Sequence, residues 1–345
     1  PELRYLRREC NFTPEELSDL CSYSLVSSLA LNQSTNDKEF CEISQECIKD
    51  FPFLTQKENV LKYQKEKMDG SGIFALKGDE IPLFSQIIFL AKTLDIMYDF
   101  GKENIKSRFD AIEFTKDKLD MYFSRDLIEK FFECVRETSF WQDMLNEQDT
   151  LMFIYSSLHD FTNPLDFEEI LKITTIFYKI ENPQSRLIEL SEIMCEFYVL
   201  DHKDKLIFLI TSSLCTIGKL TLGKELLEKE SDLDIYEIEK IKTYPYYTRK
   251  ILQNIIGFTD IASSASKVQE RLDGSGYICA LLGKDLTFKD RLLQSLNSYN
   301  ALRQNRTYRE LFSHEEAIEI LKFEASENRF DLAIIEDIDK VLKES

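Results

Sequence analysis

The sequence predicts an all-α protein built from two related units, the second more complete than the first. Three observations carry this. Apolar residues recur at helical spacing behind capping boxes. Turn formers are scarce, with 10 Gly and 7 Pro in 345 residues, too few for an all-β chain. A short glycine loop occurs twice with the same flanking text.

The elements follow in order. Thr13-Pro14-Glu15-Glu16 combines a capping box with proline at the first helical position and predicts a helix through Leu17–Leu31. Asp166 and Glu169 open another, with the stripe Ile170, Ile173, Phe177 and Ile180, and Asn182-Pro183 stops it. Leu206–Leu209 is apolar on every side, which predicts a central, buried helix. Ser313 and Glu316 form a third capping box. Asp331 caps a last helix carrying Ile334, Ile338, Val341 and Leu342. No long alternating strand pattern is present.

The repeat is Lys65-Glu-Lys-Met-Asp69-Gly-Ser-Gly72 against Gln269-Glu-Arg-Leu-Asp273-Gly-Ser-Gly276. Gly78 and Gly283 close the two copies, with one extra residue in the second. Two near-adjacent glycines cannot hold a helix, so each copy reads as a loop. The turn Thr162-Asn-Pro-Leu165 divides a unit over 1–161 from one over 162–345.

Composition bounds the partners. Lys plus Arg is 43 and Asp plus Glu is 62, a net charge of −19. That argues against nucleic acid or an anionic membrane surface, which demand local positive charge. The longest uncharged apolar stretches, Ile81–Ala91 and Leu206–Gly218, are too short to span a bilayer. Eight cysteines without a C-x-x-C pair predict reduced thiols in a cytoplasmic protein. Nucleotide-loop and nucleophile-elbow motifs are absent. The acidic run Glu228–Asp234 reads as a solvated face.

The second loop has specific surroundings. Leu214-Cys215-Thr216-Ile217-Gly218-Lys219 and Tyr244-Pro245 precede it. Asn297-Ser-Tyr-Asn300-Ala-Leu302 and Asn305-Arg306-Thr-Tyr308-Arg309 follow. In order and spacing this resembles the HD-GYP family of metal-dependent phosphodiesterases over Asp166–Leu342. The first copy is similar only around Tyr63–Asp95, where Ile81-Pro82-Leu83 fits. The family's proline after Gly276-Tyr277 is replaced by Ile278, and Gly72-Ile73-Phe74 keeps only the glycine.

The resemblance implies a bacterial cyclic di-GMP phosphodiesterase whose metals are held by His and Asp. At those positions stand Cys215, Thr216, Tyr244, Val268, Gln269 and Asn297, and in the first copy Gln64, Lys65 and Lys92. Valine has no donor atom and lysine repels a divalent cation, so the expectation is no metal, no cofactor and no catalytic residue. The three histidines, His159, His202 and His314, are scattered. The phosphate side keeps Lys219, Arg306 and Arg309 as candidate contacts, unless the two arginines pair with loop carboxylates such as Asp273. The loop residues Asp69, Gly70, Gly72, Asp273, Gly274, Gly276 and Tyr277 remain as packing or docking elements. The expected function is that of a catalytically inactive signalling protein that binds another protein or a second copy of itself. A non-hydrolysing receptor for cyclic di-GMP or a related nucleotide is one alternative. A residual phosphodiesterase with an atypical metal site is the other.

Overall fold

Short-range capping chemistry sets where the helices begin. In a computed structural model that describes residues 12–32, 34–102, 104–146, 152, 164–227, 229, 231–305 and 311–343, the expected caps are in place. Thr13 caps the helix Pro14–Val26, Asp166 caps Phe167–Glu181, Ser313 caps His314–Ser326 and Asp331 caps Leu332–Val341. The first helix is shorter than predicted. It ends at Val26, and Leu29–Asn32 forms a separate 3₁₀ turn. Among the described residues the only β pairing is two isolated bridges, Leu119 with Phe123 and Asp273 with Leu282. The chain is all-α. No helix among the described residues is long and apolar enough to cross a membrane.

The chain divides into two units, Pro1–Pro164 and Leu165–Ser345. The first has its own core, in which Leu20, Tyr23, Phe84, Ile88 and Leu94 meet Phe123, Phe131, Phe140 and Trp141. The second is organised around the helix His202–Leu214, which packs on Phe167–Glu181, Leu187–Phe197 and Thr259–Ala265. Its burial is continuous from Phe208 to Thr216, somewhat later than the predicted Leu206–Leu209.

On Phe167–Glu181 the predicted apolar stripe is only half-buried. The fully buried positions are Thr174 and Tyr178. Their hydroxyls are satisfied, Thr174 by Ser213 at 2.8 Å and Tyr178 by Ser185, so burying them carries little penalty. His314 is likewise more than a capping-box residue. It is buried and bridges the Tyr299 hydroxyl (2.8 Å) to Asp339 (3.2 Å). His202 is exposed beside Glu168, and His159 lies outside the described residues.

The two glycine loops carry one hydrogen-bond pattern. Gly70 and Gly274 turn through the left-handed region at φ +82° and +81°, where a side chain would be strained. Ser71 N–H then donates to Asp69, and Ser275 N–H to Asp273. A buried glutamate holds each loop. Glu66 accepts from the N–H groups of Phe74 and Leu76, and Glu270 from those of Cys279 and Leu281. The residue after the first of these N–H groups, Ala75 or Ala280, has positive φ in both. The extra residue of the second copy falls between Gly276 and Cys279.

Candidate functional site

The Asn-Pro pair that ends the helix Phe167–Glu181 leaves its last carboxylate facing the end of His202–Leu214. Glu181 accepts from Thr216 Oγ1 at 3.3 Å, and Asn182 Nδ2 donates to the same hydroxyl at 3.3 Å. The other Glu181 oxygen, Oε1, is buried without a hydrogen-bond partner. Burial raises the Glu181 pKa to about 7, against the opposing pull of the Lys219 ammonium and the two hydrogen bonds.

Behind this carboxylate the packing is dense. Cys215, Tyr244 and Val268 are fully buried in the second unit's core. The Cys215 thiol donates to the Ser212 carbonyl at 3.2 Å, and burial pushes its pKa up to about 12, so it is a neutral thiol. Burial also raises the Tyr244 pKa, and its phenol oxygen accepts from Gln269 Nε2 at 2.9 Å. The Lys219 ammonium lies 5.3 Å from the centre of the Tyr244 ring. Tyr277, with a pKa raised by burial, neighbours Tyr244 and Arg271, and Arg271 covers the Phe330 ring at 4.6 Å.

A cavity of about 790 Å³ opens in front of Glu181. Its lining combines polar residues, among them Asn182, Ser185 and Lys219, with apolar ones, among them Leu226, Ile238 and Ile241. The stretch read as a solvated acidic face therefore contributes to a pocket. Its Lys229 is turned onto Glu237 at 2.6 Å.

The sequence-predicted site residues thus separate into two groups. Cys215, Thr216, Tyr244, Val268 and Gln269 form connected structure in and beside the core, and none lines the cavity. Lys219 does. Asn297 is half-buried on the helix Phe288–Leu302 and is not a lining residue either. Arg306 and Arg309 lie outside the described residues. The flanks of their segment meet, since Leu311 N–H donates to Asn305 Oδ1 at 3.0 Å. Asp273, considered above as their partner, binds Ser275 and lies 3.8 Å from Arg329.

The donor set does not suit a divalent cation. Val268 offers no donor, the fully buried Cys215 thiol is turned onto the Ser212 carbonyl, and Tyr244 and Gln269 are engaged with each other. Among the described residues no group of three or more His, Cys, Asp and Glu side chains is placed to hold a metal ion.

Residues 169–334 match the HD domain family. That match, about 48% of the chain, falls inside the second unit. The chain is also related to cyclic-dinucleotide phosphodiesterases. It is 25% identical over 263 residues to 3′3′-cGAMP-specific phosphodiesterase 3 of Vibrio cholerae, covering 71% of this chain and 54% of that protein. It is 24% identical over 321 residues to 3′3′-cGAMP-specific phosphodiesterase 1 of the same organism, covering 89% and 74%. The chain therefore spans little more than half of the first relative. The crystal structure of a cyclic GMP-AMP-specific phosphodiesterase of V. cholerae superposes with a TM-score of 0.63 at 18% identity, over 99% of this chain and 90% of that one. That likeness is one of fold.

Glu181 is the site residue that sequence reasoning missed. Its signal was available, since Glu181 follows the buried Thr174 and Tyr178 at spacings of four and three on the same helix face, itself half-buried. Its carboxyl is proton-linked. Folded Glu181 binds its proton up to about pH 7, whereas an unfolded glutamate releases it near 4.5. The fold's preference for the protonated form is fully present below pH 4.5 and is lost as pH rises through 7. Glu181→Gln should therefore stabilise the chain at pH 8, by roughly 1–3 kcal/mol, and leave it unchanged near pH 4.5. Urea midpoints at the two pH values measure this; an equal shift at both would show that Glu181 carries no raised pKa.

Proposed function

We propose that the chain is a catalytically inactive HD-GYP-like regulatory protein that works by binding. The observation that carries this is the content of the family's ligand positions: an apolar valine, a buried thiol and a tyrosine–glutamine pair. Hydrolysis in this family needs metals to polarise a phosphodiester and supply hydroxide, and these side chains offer neither imidazole nor carboxylate for that task. The matching loops at Asp69–Gly78 and Asp273–Gly283 are read as the product of a duplication. The first copy would retain the loop and the helix that follows it, and the second the larger part of the domain. The output is then binding of another protein, a signalling protein or a second copy of the chain, in the cytoplasm.

One observation favours a second reading, in which a cyclic dinucleotide is held without cleavage. The cavity in front of Glu181 has nucleotide dimensions and carries Lys219 on its wall. One set of assays tests both. Full-length protein supplied with manganese or iron should leave 3′3′-cGAMP and cyclic di-GMP intact. Elemental analysis should find well below one transition metal per chain. Turnover that a chelator abolishes would overturn the inactive reading. Titration calorimetry with the same two nucleotides separates the readings, since heat that disappears in Lys219→Gln identifies a receptor.

A further inference from the structure

The first unit holds a cavity of about 450 Å³ whose lining includes three lysines, Lys65, Lys67 and Lys92, against one carboxylate, Asp37. Convergence of three lysines is unexpected in a chain of net charge −19. Lys92, on the helix Leu83–Tyr98, donates to the Ser27 carbonyl at 3.0 Å and to Gln64 Oε1 at 3.3 Å. Both acceptors are neutral, and among the described residues no carboxylate pairs with it. The Lys65 and Lys92 ammonium groups lie over one ring, 4.8 and 5.4 Å from the centre of Phe40. Lys65 has a carboxylate partner, Asp37, at 2.5 Å, but that side chain is 68% exposed and its attraction is screened. Lys67 lies 4.4 Å from the centre of the Tyr122 ring. The buried carboxylate of the same segment, Glu66, spends both oxygens on the N–H groups of Phe74 and Leu76.

Positive charge is therefore in excess where water is partly excluded. Its signature is the Lys92 pKa, pushed down to about 8 by burial and by the Lys65 charge. Such a group gains more from an anion than a surface lysine does. Phe89 and Ile73 add apolar lining. We propose that this cavity binds a phosphate-bearing small molecule of nucleotide size, with the phosphate between Lys92 and Lys65, Lys67 at its edge, and the flat or apolar part against Phe89 and Ile73. The site is separate from the cavity beside Lys219 and does not depend on the function proposed for it.

Titration calorimetry of the full chain at low salt, with GMP, AMP, inorganic phosphate and uncharged guanosine, is the test. GMP or AMP should bind and guanosine should not. Added salt should weaken the interaction. Lys92→Gln and Lys65→Gln should each lower affinity about tenfold or more, with the helical circular dichroism retained. Should Lys92→Gln disturb the fold, Lys67→Gln gives the same reading through a lysine with no ion pair among the described residues. Binding of inorganic phosphate as tight as that of GMP supports the anion site and makes phosphate itself the ligand. Absence of heat with all three anions at millimolar concentration overturns the proposal. So does binding unchanged in the lysine variants, or lost in Lys219→Gln while they retain it.

Discussion

Gly218→Ala should destabilise the second unit by on the order of 3 kcal/mol or more, well beyond the usual effect of one added methyl group. A Cβ at this position would lie 2.0 Å from the Tyr244 carbonyl oxygen, 2.5 Å from the Thr248 nitrogen and 2.7 Å from Thr248 Oγ1. Two of these are backbone atoms of the helix Tyr244–Leu252, so no rotamer change relieves the clash. The close approach is itself hydrogen-bonded. Gly218 N–H donates to Thr248 Oγ1 at 3.0 Å, and that hydroxyl reaches the Cys215 carbonyl at 3.4 Å. Forcing the turn Ile217–Thr221 away from the helix breaks both contacts and moves Thr216 and Lys219, which hold Glu181 and the cavity wall. Hydrogen exchange in Tyr244–Leu252 should accelerate accordingly, and the urea transition should move to lower concentration. The chain's one tryptophan, Trp141, lies in the first unit, so its fluorescence is not the probe for this. A loss below about 1 kcal/mol would mean that the turn and helix can separate at little cost.

That contact also marks the limit of what the sequence discloses. Gly218 was visible as part of a motif, but its reason is a tertiary approach between segments thirty residues apart. Local chemistry was legible throughout. Thr13, Asp166, Ser313 and Asp331 all cap helices, because a capping hydrogen bond is decided within three residues. The glycine loops were legible as loops for the same reason, since positive φ at Gly70 and Gly274 is a local demand.

What the sequence concealed lies at longer range. The repeated glutamates Glu66 and Glu270 stood in both copies of the motif, yet that they hold the loops emerges only when the chain folds back on them. The buried face of Phe167–Glu181 was misplaced because hydroxyl and carboxyl side chains count as polar in a periodicity argument. Ser213 and Ser185, each on another segment, are what permit Thr174 and Tyr178 to be buried, and Thr216 meets one oxygen of the half-buried Glu181. The candidate cavity was likewise invisible. Its apolar lining comes from Leu226, Ile238 and Ile241, in a stretch whose charge density masks them. Of the six positions aligned to metal ligands, Cys215, Thr216, Tyr244, Val268 and Gln269 form connected structure outside the lining of that cavity, and Asn297 is half-buried on the helix Phe288–Leu302.

The ion pair between Lys267 and Asp290 should be worth about 3 kcal/mol, read as the loss in Asp290→Ala. The Asp290 side chain has no solvent exposure and accepts from Lys267 Nζ at 2.8 Å, Ser264 Oγ at 2.7 Å and the Thr287 N–H at 3.0 Å. It therefore joins the helix Thr259–Ala265, which leads into the glycine loop, to the start of Phe288–Leu302, which follows it. Removing the carboxylate strands a hydroxyl, a backbone N–H and an ammonium together, and each loses a partner that water cannot fully replace. Lys267 keeps 21% of its side chain exposed and recovers some hydration, which holds the expected loss toward the lower end for a buried pair. The double variant Lys267→Met, Asp290→Leu should then lose less than Asp290→Ala alone, because no charge is left behind. Urea unfolding read by circular dichroism, with hydrogen exchange over 259–302, checks both statements. A double variant less stable than the single one would mean that the pair contributes through its own attraction rather than through the penalty of breaking it.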